Sequence, residues 1–239
     1  SVYSQTFSDW EVIIVDNNSN DGTEDYINSI KNNKIRFFSI NNNGVIAVSR
    51  NIGIKNSRGT YIAFLDSDDW WTPNKLEISL EYLNNGASIV YHDLFRVKRY
   101  KQLLHFRKTR TRSLSNPVFD DLIANGSALN NSSVVILRSL LEEIDGLSIN
   151  KNLIGAEDYD AWLKISNLTE NFVRIPKTLG YYWVGGGNTS NSLRKLRNIK
   201  EIESIYQEHI EYYKFSQFFY QNDYIKARTN FLLGNYDLA

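Results

Sequence analysis

The sequence predicts an α/β fold: a mostly parallel central sheet flanked by helices, with a helical C-terminal extension. Two observations predict it. Apolar runs of strand length alternate with segments of helical period through the first ninety residues, and a continuous apolar run marks a strand buried on both faces of a parallel sheet. Two of those runs also stop abruptly at carboxylates, Val15 at Asp16 and Leu65 at Asp66, Asp68 and Asp69, and open α/β sheets present their chemistry at strand carboxyl ends. At 239 residues the chain accommodates one such domain and an appendage. The expected division is residues 1–192 and residues 193–239.

Taken in order, Glu11–Asp16 is the first strand. Asp16-Asn17-Asn18-Ser19-Asn20-Asp21-Gly22-Thr23 is a stretch of turn formers that delivers the chain to a helix near Glu24–Lys31. Ile35–Ile40 is a second strand. Residues 41–44 form a loop, and the next helix, 45–56, carries Val45, Val48 and Ile52 on one face. Tyr61–Leu65 is the third strand. Thr72 and Pro73 are read as capping and opening a helix that runs to about Asn84, because Pro suits a first helical position. Short strands follow at Ser88–Tyr91 and Ser133–Leu137, with a helix at Pro117–Asn125 before the latter. Ser139 and Glu142 have capping-box spacing for a helical turn over 140–144. An amphipathic helix starts near Gly155-Ala156-Glu157-Asp158 and turns Trp162, Leu163 and Ile165 inward. Phe172–Ile175 and Leu179–Val184 are read as two strands divided by Pro176, followed by the Gly185-Gly186-Gly187-Asn188-Thr189-Ser190 loop. From about Leu193 onward the pattern is helical.

Composition narrows the chemistry. The 27 basic and 27 acidic residues cancel, so no global charge points to nucleic acid. Cysteine is absent and only His92, His105 and His209 represent histidine, which excludes thiolate catalysis, disulfides and cysteine-ligated zinc and leaves carboxylates to carry the reaction. No apolar run approaches the ~20 residues of a membrane span and no basic-then-apolar leader opens the chain, so the expected location is cytoplasmic, at the inner face of the cytoplasmic membrane. One segment departs from the neutral average: Arg96–Arg112 holds eight Lys and Arg and no acid, interleaved with Phe95, Val97, Tyr100 and Phe106. It reads either as a solvated hairpin whose basic stems cover apolar surface, or as a contact for a diphosphate or an anionic membrane surface. Asn-x-Ser/Thr triplets such as Asn131-Ser132-Ser133 are put down to the abundance of Asn.

The acids after Leu65 form the site. Capping requires a single acid or hydroxyl and Thr72 supplies it, which leaves Asp66 and Asp68 unexplained. One residue apart, they turn oxygens toward one point, and hard divalent cations that also hold phosphates need one or two carboxylates and open positions.

Four motifs in order, Val15-Asp16-Asn17-Asn18-Ser19 with Asp21-Gly22-Thr23, Ser49-Arg50-Asn51-Ile52-Gly53, Gly59-Thr60-Tyr61 through Asp66-Ser67-Asp68-Asp69, and Glu157-Asp158, closely resemble glycosyltransferase family 2. The agreement spans about residues 1–192. The resemblance implies a GT-A nucleotide-sugar-binding fold, a UDP-sugar donor, a Mn²⁺ or Mg²⁺ ion and inversion at the anomeric carbon. It places Asp68 as the metal ligand within a DxD motif, with Asp66 toward the ribose or metal. Asp16, Asn17, Arg50 and Ser67 join Asp66 and Asp68 in binding the nucleotide sugar, with a structural ion pair as the other reading of Arg50. Asp158 is implied as the catalytic base, and Glu157 and Trp70 as residues orienting the acceptor.

Three features qualify the resemblance. The early motif has Asn17 where an acid is usual, though an Asn oxygen still accepts from a uracil N–H. Members of the family usually open with an apolar strand and a Thr/Ser-Tyr-Asn loop that supply part of the base pocket, and the resemblance implies such a strand ahead of Ser1. No His follows the last strand in Tyr181–Ser190, so metal affinity is expected to rest on Asp68 and phosphate oxygens. The Tyr-Trp-Gly-rich stretch resembles the bacterial surface-polysaccharide branch, whose members extend an undecaprenyl-diphosphate-linked sugar or other glycan in O-antigen or capsule assembly. The basic segment 96–112 would suit that acceptor and a peripheral membrane contact. Tyr224–Ala239 is similar to half of a tetratricopeptide hairpin, with a plain helical tail as the alternative. Rival readings of the whole are a sugar-phosphate nucleotidyltransferase and a non-catalytic nucleotide-sugar or glycan-binding module.

Overall fold

A computed structural model describes residues 1–99, 102, 107–109, 111–185, 192–213 and 216–232. Strand β1 (Val12–Asp16) pairs in parallel with β2 (Ile35–Ser39), and α1 (Thr23–Ser29) makes the crossover between them. Helix α2 (Ile46–Asn56) then leads to β3 (Tyr61–Ala63). The larger sheet adds β4 (Trp70–Trp71), β5 (Ile89–Val97), β6 (Val135–Leu137) and β7 (Phe172–Trp183), in the order β3-β6-β5-β7-β4. Only β5 and β7 run parallel in it. The pairs β3–β6, β5–β6 and β4–β7 are antiparallel, so the sheet is mixed and not mostly parallel. Apolar periodicity reports a strand's burial and not its direction.

The two faces of this sheet are covered by different helices. Side chains of successive strand residues point to opposite faces, and Ile89 and Ile136 accordingly join one buried cluster while Val90 and Val135 join another. The second cluster lies beneath α3 (Lys75–Asn84), through Ile78 and Leu83. The first is the main core. It gathers Val118, Phe119, Leu122 and Ile123 of α4 (Val118–Asn125), Leu140 and Leu141 of α5 (Arg138–Glu143), and Trp162, Leu163 and Ile165 of α6 (Glu157–Ser166). Burying each large apolar side chain contributes about 1.5–3 kcal/mol, so the amphipathic faces read from the sequence fix α6 firmly against the sheet. The C-terminal helices α7 (Ser192–Ile205) and α8 (Gln207–Tyr213) share this core through Ile202 and Ile210. Between them, the Tyr206 hydroxyl donates to the buried Asp160 Oδ1 of α6 at 2.8 Å. Helix α9 (Ser216–Leu232) follows, and Lys226 of α9 pairs with Glu203 of α7 at 2.6 Å.

Several sequence expectations need correction. Asn74, not Thr72, precedes α3, and no side chain caps that helix locally. Instead the Leu76 N–H donates to Gln5 Oε1 at 3.0 Å, a residue 71 positions away. Ser139 lies inside α5 and caps nothing, because Arg138 already opens the helix while its N–H completes the β3–β6 edge by donating to Thr60 O. Pro176 does not divide β7. The strand passes through it, with register shifts against β5 between His92 and Asp93 and between Asp93 and Phe95, and a bulge is where a residue without an N–H can sit in a sheet. Strand β5 continues to Val97 and so takes in the start of the basic segment. The Gly186–Ser190 part of the glycine-rich loop, residues 100, 101, 103–106 and 110 of the basic segment, and the Leu233-Gly234-Asn235-Tyr236 turn lie outside the described residues. Among the described residues no helix is long and apolar enough to cross a membrane.

Candidate active site

The site gathers at the end of β3 and is organised by Arg50 of α2. Its guanidinium is a fork: Nη2 donates to Asp66 Oδ1 at 2.8 Å and Nη1 to Glu157 Oε1 at 2.5 Å. Residues 16 and 107 positions away in the chain are thereby held on one side chain that is 15% exposed. Burial works against the Arg50 charge, and Asp66, Asp158 and Glu157 together outweigh it, so its pKa rises further above the ordinary arginine value. Glu157 is buried, and its second oxygen accepts the Gly155 N–H at 2.5 Å. Both of its oxygens are engaged within the protein. That geometry makes Glu157 a positioning residue for Arg50.

Asp158 follows on the first turn of α6. Its Oδ1 accepts the Tyr159 N–H at 2.8 Å. Burial first, and then the neighbouring charges of Glu157 and Asp66, push its carboxyl up to about 6, against the pull of Arg50 and of the Tyr159 N–H. A carboxylate tuned toward neutrality within a cluster of charged side chains is suited to accept a proton.

The three acids after β3 have separate fates. Asp66 is tied to Arg50 and receives a second bond from Asn131 Nδ2 at 3.3 Å, while the Asp66 N–H donates to Ser132 Oγ at 3.1 Å. Asp69 is buried, and its Oδ1 accepts the Trp183 N–H at 2.9 Å, which fastens the acidic loop to β7. Burial, with Asp66 and Asp68 nearby, raises its carboxyl to about 6 despite bonds from Ser132 and Trp183. Asp68 is exposed and makes no hydrogen bond or ion pair among the described residues. Ser67 is likewise exposed beside it. Asp68 and the remaining Asp66 oxygen are hard ligands of the kind that suits a divalent cation whose other ligands are water and phosphate. No group of three or more His, Asp or Glu side chains able to hold a metal occurs among the described residues.

The early motif connects to this cluster through a relay. Both Asp16 oxygens accept from Ser19, at 2.8 Å from its N–H and 2.5 Å from its hydroxyl, closing the loop after β1. Asn17 Oδ1 accepts the Asn42 N–H at 2.8 Å, and Asn42 Nδ2 donates to Ser49 Oγ at 2.9 Å, one residue before Arg50. On the other side of the acids, Trp70 stacks on Tyr181, ring centroids 5.3 Å apart. Tyr182, next in β7, has its hydroxyl pKa raised by burial and by Asp69, Asp68 and Asp66 in turn.

Sequence reading missed Asn131, Ser132 and Tyr182, and it missed the tether role of Asp69. Asn131 had been met only in an Asn-x-Ser triplet. The structure buries it at 6% exposure, where no glycan could attach. Its partner lies 65 positions away, and no local pattern carries that pairing.

Comparisons with known proteins identify the family and the fold. TuaG of Bacillus subtilis, a glycosyltransferase assigned to teichuronic acid biosynthesis, is 41% identical over 219 residues, covering 87% of this chain and 80% of that protein. WfaP of Escherichia coli, a UDP-Glc:α-D-GlcNAc-diphosphoundecaprenol β-1,3-glucosyltransferase, is 28% identical over 184 residues, 73% of this chain and 69% of that protein. Two glycosyltransferases of Rickettsia are much longer, and the chain spans only 31% and 27% of their lengths. Among solved structures, TarS of S. aureus in complex with UDP superposes with a TM-score of 0.61 at 16% identity, over 86% of this chain and 66% of that one. That likeness speaks for the fold, which is the GT-A fold. The sequence profile of glycosyl transferase family 2 matches residues 1–143, and with it the chain belongs to glycosyl transferase family 2.

Proposed function

We propose that this chain is an inverting, metal-dependent glycosyltransferase that moves a hexose or N-acetylhexosamine from a UDP-sugar to a lipid-linked sugar diphosphate, making a β-linkage during bacterial surface-polysaccharide assembly. The observation that carries the reading is Asp158, a half-buried carboxyl raised to about 6 and held in one charge cluster with Arg50 and Asp66. The donor and acceptor classes come from the similarity to WfaP, and the polysaccharide context from WfaP and TuaG.

An acceptor hydroxyl is a weak nucleophile. Asp158 takes its proton as the oxygen bonds to the anomeric carbon, while the bond from that carbon to the UDP oxygen breaks and UDP leaves with the electron pair. One displacement inverts the centre, so an α-linked donor gives a β-product. Arg50 keeps Asp66 and Glu157 in place and limits the rise in the Asp158 pKa. Asp66 and Asp68 would hold Mn²⁺ or Mg²⁺, which when bound supplies positive charge for the departing diphosphate. Asp16, Asn17 and Ser67 line the loops assigned to the nucleotide.

Calorimetric titration of UDP, GDP and CDP into the full-length protein, with and without Mn²⁺, tests this. UDP is expected to bind in a metal-dependent way, and Asp68→Ala to weaken that binding at least tenfold. A protein that binds none of the three, with or without metal, sinks the donor assignment and favours the non-catalytic module.

A further inference from the structure

The first turn of α6 carries Asp158 and has no side-chain cap of its own. Arg50 holds it from one side, through Glu157. The other side rests on the residues that lead into the helix, and α7 grips these. Lys151–Leu153 makes one 3₁₀ turn, opened by Asn150, whose Oδ1 accepts the Asn152 N–H at 2.9 Å. Glu201 of α7 bonds both ends of it: Oε1 accepts from Asn150 Nδ2 at 2.6 Å and Oε2 from Asn152 Nδ2 at 2.9 Å. Asn198, three residues earlier in α7 and buried, donates to Asn152 O at 2.7 Å in the amide orientation that satisfies both its ends.

The grip continues to α6. Leu153 is fully buried, and its carbonyl accepts the Ala156 N–H at 2.7 Å. Between them Gly155 takes a φ of +87°, and a Cβ added there would stand 3.4 Å from Arg194 Cδ of α7. The Gly155 N–H is the group that engages the second oxygen of Glu157. A continuous set of bonds thus runs from Glu201 to the residue beside Asp158.

Docking α7 does not require that grip. Ile202 lies in the main core and Tyr206 bonds Asp160, so the C-terminal helices are seated without Glu201. A carboxylate bonded to both ends of one turn fixes the turn's rotation as well as its position, and charge-assisted bonds are about twice as strong as neutral ones.

We infer that Glu201 is a positioning residue for Asp158: it holds Asn150 and Asn152, so it sets the turn before α6 and, through the Gly155–Glu157 bond, the direction in which α6 presents its first carboxyls. This rests on the transferase reading above. It gives the C-terminal helices a supporting part in the transfer step and none in donor binding.

The test compares Glu201→Ala and Glu201→Gln in the full-length protein. Ala removes both bonds. Gln keeps both, because its oxygen accepts from Asn150 and its amide donates to Asn152 Oδ1 once that exposed side chain turns over. The readouts are initial rates with UDP-glucose and N-acetylglucosaminyl α-diphosphate on a short alkyl tail, UDP affinity with Mn²⁺, and amide hydrogen exchange. A misplacement of about 1 Å remote from the chemistry costs as much as about 10²-fold in rate. Glu201→Ala is expected to lower kcat about tenfold and to speed exchange across residues 153–159 alone. Donor KM and UDP affinity should stay within about twofold, and Glu201→Gln should restore most of the rate. Exchange that stays at the wild-type level in Glu201→Ala, or rises equally through the whole chain, overturns the inference. So does a kcat equal to wild type, or a loss confined to UDP affinity. If exchange quickens locally while the wild type neither binds UDP nor transfers, the brace on α6 stands and the transferase reading falls. If wild type and Glu201→Ala transfer equally well, the transferase reading stands and the inference falls.

Discussion

Replacing Asp158 by Asn should abolish transfer and stabilise the protein at the same time. The carboxyl is raised from 3.8 to about 6, first by burial and then by Glu157. At about 1.4 kcal/mol per pKa unit, ionising it in the folded state costs about 3 kcal/mol more than in the unfolded chain. Residual solvent contact reduces that, and about 1–2 kcal/mol is the expected net effect. The sign follows from the direction of the shift. A carboxyl with a raised folded pKa contributes its stability below its unfolded value and loses it as pH climbs through about 6. Asn cannot ionise, and its side-chain oxygen still accepts the Tyr159 N–H. The variant should therefore match wild type near pH 4 and exceed it by about 1–2 kcal/mol at pH 8. Transfer should fall by about 10²–10⁴ with the base gone, and the wild-type rate should show an acidic limb near pH 6. Urea unfolding from pH 4 to 8, paired with initial rates, reads both. A stability difference that does not change with pH, or a variant retaining more than a tenth of the transfer rate, would refute the assignment of the base.

Two further substitutions probe the supports of that carboxyl. Arg50→Lys leaves one ammonium where a two-pronged guanidinium bridged Asp66 and Glu157. It should cost about 1–3 kcal/mol in urea unfolding and move the acidic limb of the rate upward, because the pull that Arg50 exerts on Asp158 weakens; an unmoved limb would show that Arg50 acts elsewhere. Tyr206→Phe removes the hydroxyl on Asp160 and leaves that buried acid, among the described residues, with the Lys164 side chain 2.7 Å away. A loss of about 1–3 kcal/mol in stability with unchanged UDP affinity is expected, and a loss of UDP binding without a change in stability would contradict the purely supporting role of the C-terminal helices.

Most of the fold was legible because burial leaves a periodic trace. The runs Val12–Val15 and Ile35–Phe38, and the inward set Trp162, Leu163 and Ile165, each declare their element without help from the rest of the chain. What was not legible is whatever depends on a distant partner. The direction of β6 is set by its neighbours, β3 and β5, and not by its own residues. The first turn of α3 is satisfied by Gln5, so the local cap predicted at Thr72 was unnecessary. Pro176 is an expected strand breaker, yet a bulge opposite Asp93 absorbs it. The site shows the same division. Asp66, Asp68 and Asp158 could be named from motifs, while Asn131 and Ser132, which receive and orient Asp66, could not.

The acids after β3 show why a motif is only half of a site. Asp66, Asp68 and Asp69 have the same chemistry and lie within four residues, and the motif that singles out Asp66 and Asp68 does not say what each acid touches. The backbone does. The Asp69 N–H returns to Asp66 O at 3.0 Å, and this turn sends alternate side chains in different directions. Asp66 meets the Arg50 fork, Asp69 passes into the interior to accept from Trp183, and Asp68 is left facing solvent. Asp66 loses freedom to an ion pair through one of its oxygens, and Asp69 loses solvent to burial. Asp68 keeps both. In the proposed site, a cation recruited with its phosphates would use the oxygens that the protein has not already engaged, those of Asp68 and the second oxygen of Asp66.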